Sequence, residues 1–484
     1  MNREERRVLR RIYKNLGELI KTDLDALRAR REEEAVRERE VVEEPVRERE
    51  VAEEPVRERD TEVEPLPIRE EDPVRDTPDP DEGRVPPRED PPVYSSAGVE
   101  RWDVVTPERV SFEYTGSEDL NQAWFQWHSR QTDQDVYSPF IVGVRGDAGG
   151  INLGGKYCNH KGFAANVIFV GLDDNAVIGP IGHGSDYPVE RVEFHNIGIR
   201  GNPDSFAWRQ GAPLGDVAFK NFWFVKHPKV ELYTSLIHFQ KGWKSLSIEG
   251  YQPRDIRSRE HMAYIKGGGK TQIIDNDMRG GNRSFVHYRP HGYGCISYCF
   301  NATPQPSGPI LIEGNRSDGF GWDHENSDGG AVISVWCSLE QPLVIRNNAI
   351  RDCRYGGIMI GKGALNTNPY TTRDGYSHAF VWIEDNDIHC TGKTGSEPRH
   401  ATSFSDIREL VFQGSNKFRS DNRFDIVVNA HFSSKQKALP VRDIIIYGED
   451  SLPDVEEAMS YVLATDSYVD ISQNLKDMVV PEPR

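Results

Sequence analysis

Ten short apolar runs recur between residues 167 and 448, and each closes on a turn-forming residue. They read VIFVG (167–171), VEFHN (192–196), VAFKN (217–221), LSIEG (246–250), QIIDN (272–276), ILIEGN (310–315), LVIRNN (343–348), VWIEDN (381–386), LVFQG (410–414) and IIIYG (444–448). The third residue of every run is large and apolar: Phe169, Phe194, Phe219, Ile248, Ile274, Ile312, Ile345, Ile383, Phe412 and Ile446. Two positions later stands Gly171, Asn196, Asn221, Gly250, Asn276, Gly314, Asn347, Asp385, Gly414 or Gly448. Gly, Asn and Asp tolerate left-handed backbone, and Asn or Asp can close a turn with a side-chain hydrogen bond.

Beyond the turn the alternation stays in phase. Ile199, Phe224, Ile350 and Ile388 share an inward offset, and Arg200, Arg254, Asp318, Arg351 and His389 the next one outward. The period is two, so these are strands, and no run sustains helical spacing. Successive runs lie 25 to 38 residues apart, which sends loops of varying length out of one side of the repeat. A unit that cannot bury its own apolar face must stack on its neighbours, and stacked parallel strands share one continuous core.

The first hundred residues have another character. They hold 30 acidic and 20 basic side chains, whereas the whole chain of 484 carries 77 and 59. Residues 5–30 read as an amphipathic helix with Leu9, Ile12, Leu16, Leu24 and Leu27 on one face. From residue 34 a ten-residue repeat (EAVREREVVE, EPVREREVAE, EPVRERDTEV) places Pro45, Pro55 and Pro65 where they would break a helix. Residues 35–95 are therefore expected to form an extended, solvated linker. The apolar fraction of 37% lies below the ~45–50% of an average globular chain. Even so, 9 Trp, 18 Tyr and 20 Phe are enough for a core elsewhere. The net charge of −18 argues against nucleic acid as partner. No apolar run is long enough to span a membrane, and the N-terminus lacks the apolar stretch of a secretion signal. Six Cys over this length make no disulfide framework, and Cys295 and Cys299 lack the second ligand pair of a zinc finger.

The repeats, preceded by EDLNQAWFQWHSRQTDQDVYSPFIVGVRGDAGGINLGG, resemble the right-handed parallel β-helix of the pectate-lyase-like superfamily. That resemblance covers roughly residues 105–450. It implies an all-β, single-stranded β-helix of about ten rungs, capped by an amphipathic helix bearing Leu120, Ala123, Trp124 and Trp127, with a strand at Phe140 to Val144. The expected organisation is an N-terminal helix (1–34), the linker (35–95), the mouth and cap (96–165), the body (166–450) and a C-terminal helix and strand (451–484). A helical anchor, a charged tether and a β-helix without a secretion signal together resemble tailspike or receptor-binding proteins of tailed viruses. By that resemblance the chain sits on a virion, its N-terminus on tail or capsid proteins and its body on a host polysaccharide or glycoprotein glycan. It would then be a homotrimer, although residues 451–484 are short for a trimerisation domain.

Polysaccharide enzymes of this fold generally expose two or three carboxylates across neighbouring rungs. An acid and a base must flank one glycosidic bond, ~5–5.5 Å apart in retaining and ~6.5–9.5 Å in inverting hydrolases. Rungs stack about 4.8 Å apart, so acids at equal offsets would serve. Asp318 and Asp352 fall near one another on consecutive rungs, with Arg351 beside them and His389 on the next; a solvated stripe of cross-rung ion pairs reads the same way. A second candidate is the loop FGWDHENSDGG, where Trp322 and His324 could bind sugar and Asp323 and Glu325 could act as carboxylates. Its oxygen ligands could hold Ca²⁺; no other cofactor is called for. The third is HYRPHGYG, a long insertion offering Tyr288, Arg289, His291 and Tyr293 to a hydroxyl-rich ligand. The expected activity is carbohydrate attachment. A polysaccharide hydrolase or lyase on the same glycan is the alternative, and a non-binding structural decoration protein of the virion a further one.

Overall fold

The computed structural model describes residues 98–481 apart from 131–137, 154–164, 183–188, 205, 210, 212, 231–232, 240–241, 253–257, 266–267, 278–294, 299–307, 319–330, 336–338, 354–355, 362–373, 392–399, 422–423, 430–438 and 463–466. The chain divides into Met1–Arg88 and Glu89–Arg484, and every described residue belongs to the second unit. The expected helix at 5–30 and the linker therefore lie outside the described residues.

Among these residues the architecture is a parallel β-helix. A long sheet of thirteen strands runs from Phe112–Tyr114 to Val479–Val480, and the ten sequence runs form ten consecutive members of it. A sheet of ten strands, from Phe206–Arg209 to Ser467–Asp470, forms a second face. Short strands close the third face: Val177–Ile178, Gly198–Arg200 and Trp223–Val225, then Arg316–Asp318, Ala349–Arg351, Asp387–Cys390 and Lys417–Ser420. The named strands pair in parallel except Ala458–Val462 with Ser467–Asp470, which ends the stack as a hairpin.

Register follows the inward residues. Phe169, Phe194 and Phe219 stand opposite one another, their rings stacked at 5.5 and 5.6 Å, and the column continues through Ile248. At the next rung the structure corrects the reading: Ile273 takes the inward place, opposite Ile248 and Ile312, and Ile274 points outward. Two adjacent isoleucines carry no pattern that separates inside from outside, so the turn decides. Asp275 has φ 53, and Asn276 is the residue after it. Gly171 is a second correction, since it is absent from the left-handed residues among the described chain. A Cβ there would sit 1.9 Å from the Asn196 carbonyl oxygen, so close backbone approach demands glycine.

The position after the turn explains the change of character along the stack. In the earlier rungs it holds Ile197, Phe222 and Tyr251, which are buried. From Asn276 onward it becomes a buried asparagine column of Asn276, Asn315, Asn348 and Asn386, which Asn416 extends from two places past Gly414. Each Nδ2 donates to the next Oδ1, at 2.9, 3.0, 2.9 and 3.3 Å, and also to a strand carbonyl of the rung before. Each Oδ1 beyond the first also accepts the backbone N–H of the preceding asparagine. Buried polar groups persist only when paired, and this column pairs the turn amides that no strand reaches.

A helix caps the N-terminal end, as the sequence suggests. The helix Leu120–Ser129, capped by Asp119 Oδ1 on the Gln122 N–H at 3.1 Å, lays Trp124 and Trp127 against Phe140 at 5.3 Å each. Beyond residue 451 come the hairpin, the helix Ser472–Asp477 with buried Leu475, and the strand Val479–Val480. Cys353 and Cys390 are free and buried.

Candidate functional site

The outward stripe expected at Asp318 and Asp352 lies along the short strands. Register sets Asp318 opposite Arg351, so a cation rather than a second acid shares its offset. Asp352 follows the strand in left-handed backbone at φ 50, and the Thr391 hydroxyl donates to it. Arg351 pairs with Asp387, His389 Nε2 lies 3.0 Å from Asp421 Oδ1, and Arg419 reaches Asp454 at 2.6 Å. The stripe is thus a series of cross-rung ion pairs with half-exposed members, a class of contact that contributes about 0–1 kcal/mol each. Trp322, Asp323, His324 and Glu325 lie outside the described residues, as do Tyr288, Arg289, His291 and Tyr293. Among the described residues no cluster of three His, Cys, Asp or Glu could hold a metal ion.

A groove of about 720 Å³ lies instead on the outer face of the long sheet. One wall is a strap formed by residues 98–106, which crosses the sheet against the order of stacking before the first strand begins. Arg101 pairs with Asp275 at 2.6 Å and Glu313 at 3.0 Å. The Trp102 N–H donates to Gln272 Oε1 at 3.1 Å, and Gln272 Nε2 donates back to the Trp102 carbonyl at 2.9 Å, so one side chain stands in for a missing strand. Lys220 Nζ donates to the Val104 carbonyl at 2.7 Å. Thr106 Oγ1 lies 3.0 Å from Nδ1 of the buried His195, whose Nε2 is 2.8 Å from Glu193 Oε2. A neutral ring protonated on Nε2 satisfies both contacts, donating to Glu193 and accepting from Thr106.

Register arranges the floor in columns. Asn166, Arg191, Asp216, Ser245 and Lys270 share one outward offset on successive strands. Ile168, Glu193, Ala218 and Ser247 share the next. Ser245 Oγ donates to Asp216 at 2.6 Å, and Lys244 Nζ approaches Asp216 at 3.5 Å. Arg191 Nε is 3.7 Å from Glu193. Lys270 Nζ sits 4.5 Å from the centre of the Trp102 ring, a cation–π contact. These residues lie before the turn, whereas the polar stripe expected from the sequence lies after it. The signal was present in VERVEFHN, GDVAFKN and KSLSIEG, whose polar residues alternate with the inward ones.

Farther along the same sheet, Glu409 stands opposite Asp443 in register, the one acid–acid match among the described strand pairs. Arg408 and Arg442 flank them, each also reaching Asp374, and Arg442 lies 3.7 Å from Glu409. Burial pushes the Glu409 carboxyl above its ordinary range; Asp443 and Asp374 act the same way, and the two arginines oppose them. The repeated IREL and VRDI carried this pairing in the sequence.

No family model matches the chain, and no curated protein matches it. One solved structure that does match is the catalytic unit of a thermostable GH87 α-1,3-glucanase from Streptomyces thermodiastaticus strain HF3-3. It matches with a TM-score of 0.35 and 12% identity, over 72% of this chain and 70% of that one.

Proposed function

We propose that this chain is an attachment protein. Its β-helix body recognises host surface carbohydrate, and residues 1–95 fasten it to a virion in the manner of a tail spike or fibre. The observation that carries this reading is the groove under the strap, where a wall bearing Trp102 faces donors and acceptors fixed on one sheet. Sugars present apolar ring faces and hydroxyls that both donate and accept, and such a surface answers both. The groove mixes acidic and basic side chains, which suits a carbohydrate better than the phosphates of a nucleic acid. In the same reading the segment 5–30, expected from the sequence to be helical, anchors or oligomerises the chain, with a homotrimer as the expected assembly on tail or capsid proteins.

A depolymerase acting on the same glycan is the second reading, and the Glu409–Asp443 pair favours it. Acids at equal offsets, one of them raised by burial, are what a general acid and its partner need. The deciding experiment is a size profile of host surface polysaccharide before and after incubation with the full chain. Unchanged length with co-eluting protein supports attachment. Shortened chains support the depolymerase, and Glu409→Gln should then abolish the shortening. Glycan neither cut nor bound would refute both and leave a structural role in the virion.

A further inference from the structure

We infer that the groove takes an internal stretch of a linear, uncharged polysaccharide laid along the stacking axis; this rests on the attachment reading above. The first ground is length. Five successive strands of the long sheet, from the one holding Ile168 to the one holding Lys270, and the entry to a sixth at Gly308 and Pro309, contribute to the lining. At about 4.8 Å per strand these five steps span about 24 Å, room for several sugar rings rather than one. Repetition is the second ground. Arg191, Asp216, Ser245 and Lys270 deliver one polar head per rung at a constant offset, a periodic row that a periodic polymer can follow.

Charge is the third. The ionisable lining consists of Arg191, Lys244 and Lys270 against Asp103, Glu193 and Asp216, so the signs cancel. A polyanion would run past three carboxylates, and a polycation past three cations. A neutral polyol meets a donor or an acceptor at each step and can answer either. Glu193 and Asp216 already accept from neighbours, which fixes their carboxylates in place without neutralising the row.

The test is a glycan array probed with the full-length chain. It should carry neutral linear hexamers (maltohexaose, cellohexaose, laminarihexaose), shorter members of each series, and anionic hexamers of galacturonate and hyaluronan. The expected hits are neutral, with signal rising with chain length and changing less than about threefold between about 50 and about 500 mM salt, because no net charge is screened. Asp216→Ala and Lys270→Ala should each weaken binding about tenfold, the equivalent of one lost hydrogen bond. Arg419→Ala, on the ion-paired stripe, should leave it unchanged. Hits confined to anionic glycans, monosaccharides bound as well as hexamers, or binding indifferent to the groove substitutions would each overturn the inference and leave attachment standing. An array with no hit in any class would instead remove the attachment reading, and this inference with it.

Discussion

Asn348→Ala probes the asparagine column where it is most connected. The Asn348 Nδ2 donates to the Ile312 carbonyl at 3.0 Å, the Arg346 carbonyl at 3.0 Å and Asn386 Oδ1 at 2.9 Å. Its Oδ1 accepts from the Asn315 N–H at 3.1 Å and Asn315 Nδ2 at 3.0 Å. Truncation does not orphan all of these. Asn315 Nδ2 keeps the Ile273 carbonyl, Asn386 Oδ1 keeps the Asn348 N–H, and the Arg346 carbonyl keeps the Gly314 N–H. The Ile312 carbonyl keeps the ladder N–H of Arg346, so one group bears the full loss: the Asn315 N–H. At about 1–3 kcal/mol for a buried group deprived of its partner, the expected destabilisation is about 2–4 kcal/mol once the weakened contacts are added.

Ile350→Val, on the same rung, removes one methylene and should cost only about 0.5–1.5 kcal/mol. Stacked repeats need not unfold in one step, so the informative assay is native-state hydrogen exchange rather than a single melting curve. Protection of the Asn315 amide should collapse in Asn348→Ala, and the amides of residues 310–313 and 343–346 should weaken with it. A cost below about 1 kcal/mol, with the Asn315 amide as protected as before, would refute the claim that the column holds the turns.

Three other outcomes are expected. Gly414→Ala places a Cβ 2.3 Å from Asp385 Oδ1 at a φ of 66, and should destabilise by more than about 1 kcal/mol, read as a fall in thermal midpoint. Glu313 should hold the strap in a pH-dependent way. Burial raises its carboxyl, but bonds from Arg101 and Arg346 outweigh this and leave it below its ordinary range. A depressed carboxylate stabilises above its unfolded pKa of about 4.3, and that stability is lost as pH falls through the folded value. Corrected for intrinsic exchange, protection of the Trp102 amide should fall there, and Arg101→Ala should blunt the effect; constant protection would contradict it. Glu409 has the opposite sign. Its raised carboxyl contributes stability below about pH 4.3 that is lost as pH rises through the folded value, so Glu409→Gln should raise the thermal midpoint at pH 7 and not at pH 3. An unchanged midpoint at pH 7 would show that Arg408 and Arg442 fully offset the burial.

The repeat was legible in the sequence because its signal is redundant. An inward Phe169 is ambiguous alone, but followed by Phe194 and Phe219 at the same offset before a turn residue it is not. Where redundancy failed, so did the reading: Ile273 and Ile274 are chemically alike, and only the left-handed Asp275 separates them. The asparagine column was half visible. Asn315, Asn348 and Asn386 each follow a turn residue in the sequence, but their pairing across rungs is a property of stacking, not of any one run.

The groove was hidden for a different reason. Its floor can be read from local alternation, but its wall comes from Trp102 and Val104, which are 170 and 116 residues from Gln272 and Lys220. No periodicity links a strap to the strands it crosses. The same separation leaves the wall dependent on the few contacts it makes across the sheet. Much of the strap is held by polar contacts, and two of them, with Asp275 and Lys220, are partly exposed or reach only a backbone carbonyl. Ordering each strap residue costs about 1–2 kcal/mol in backbone entropy, whereas each such contact returns about 1 kcal/mol. Buried Val99, packed with Ile274 and Leu311, and buried Val104 must therefore supply much of the difference. A ligand that touches Trp102 and the floor together would stabilise the closed wall by its own binding energy, and loosening the strap would weaken the ligand by the same factor.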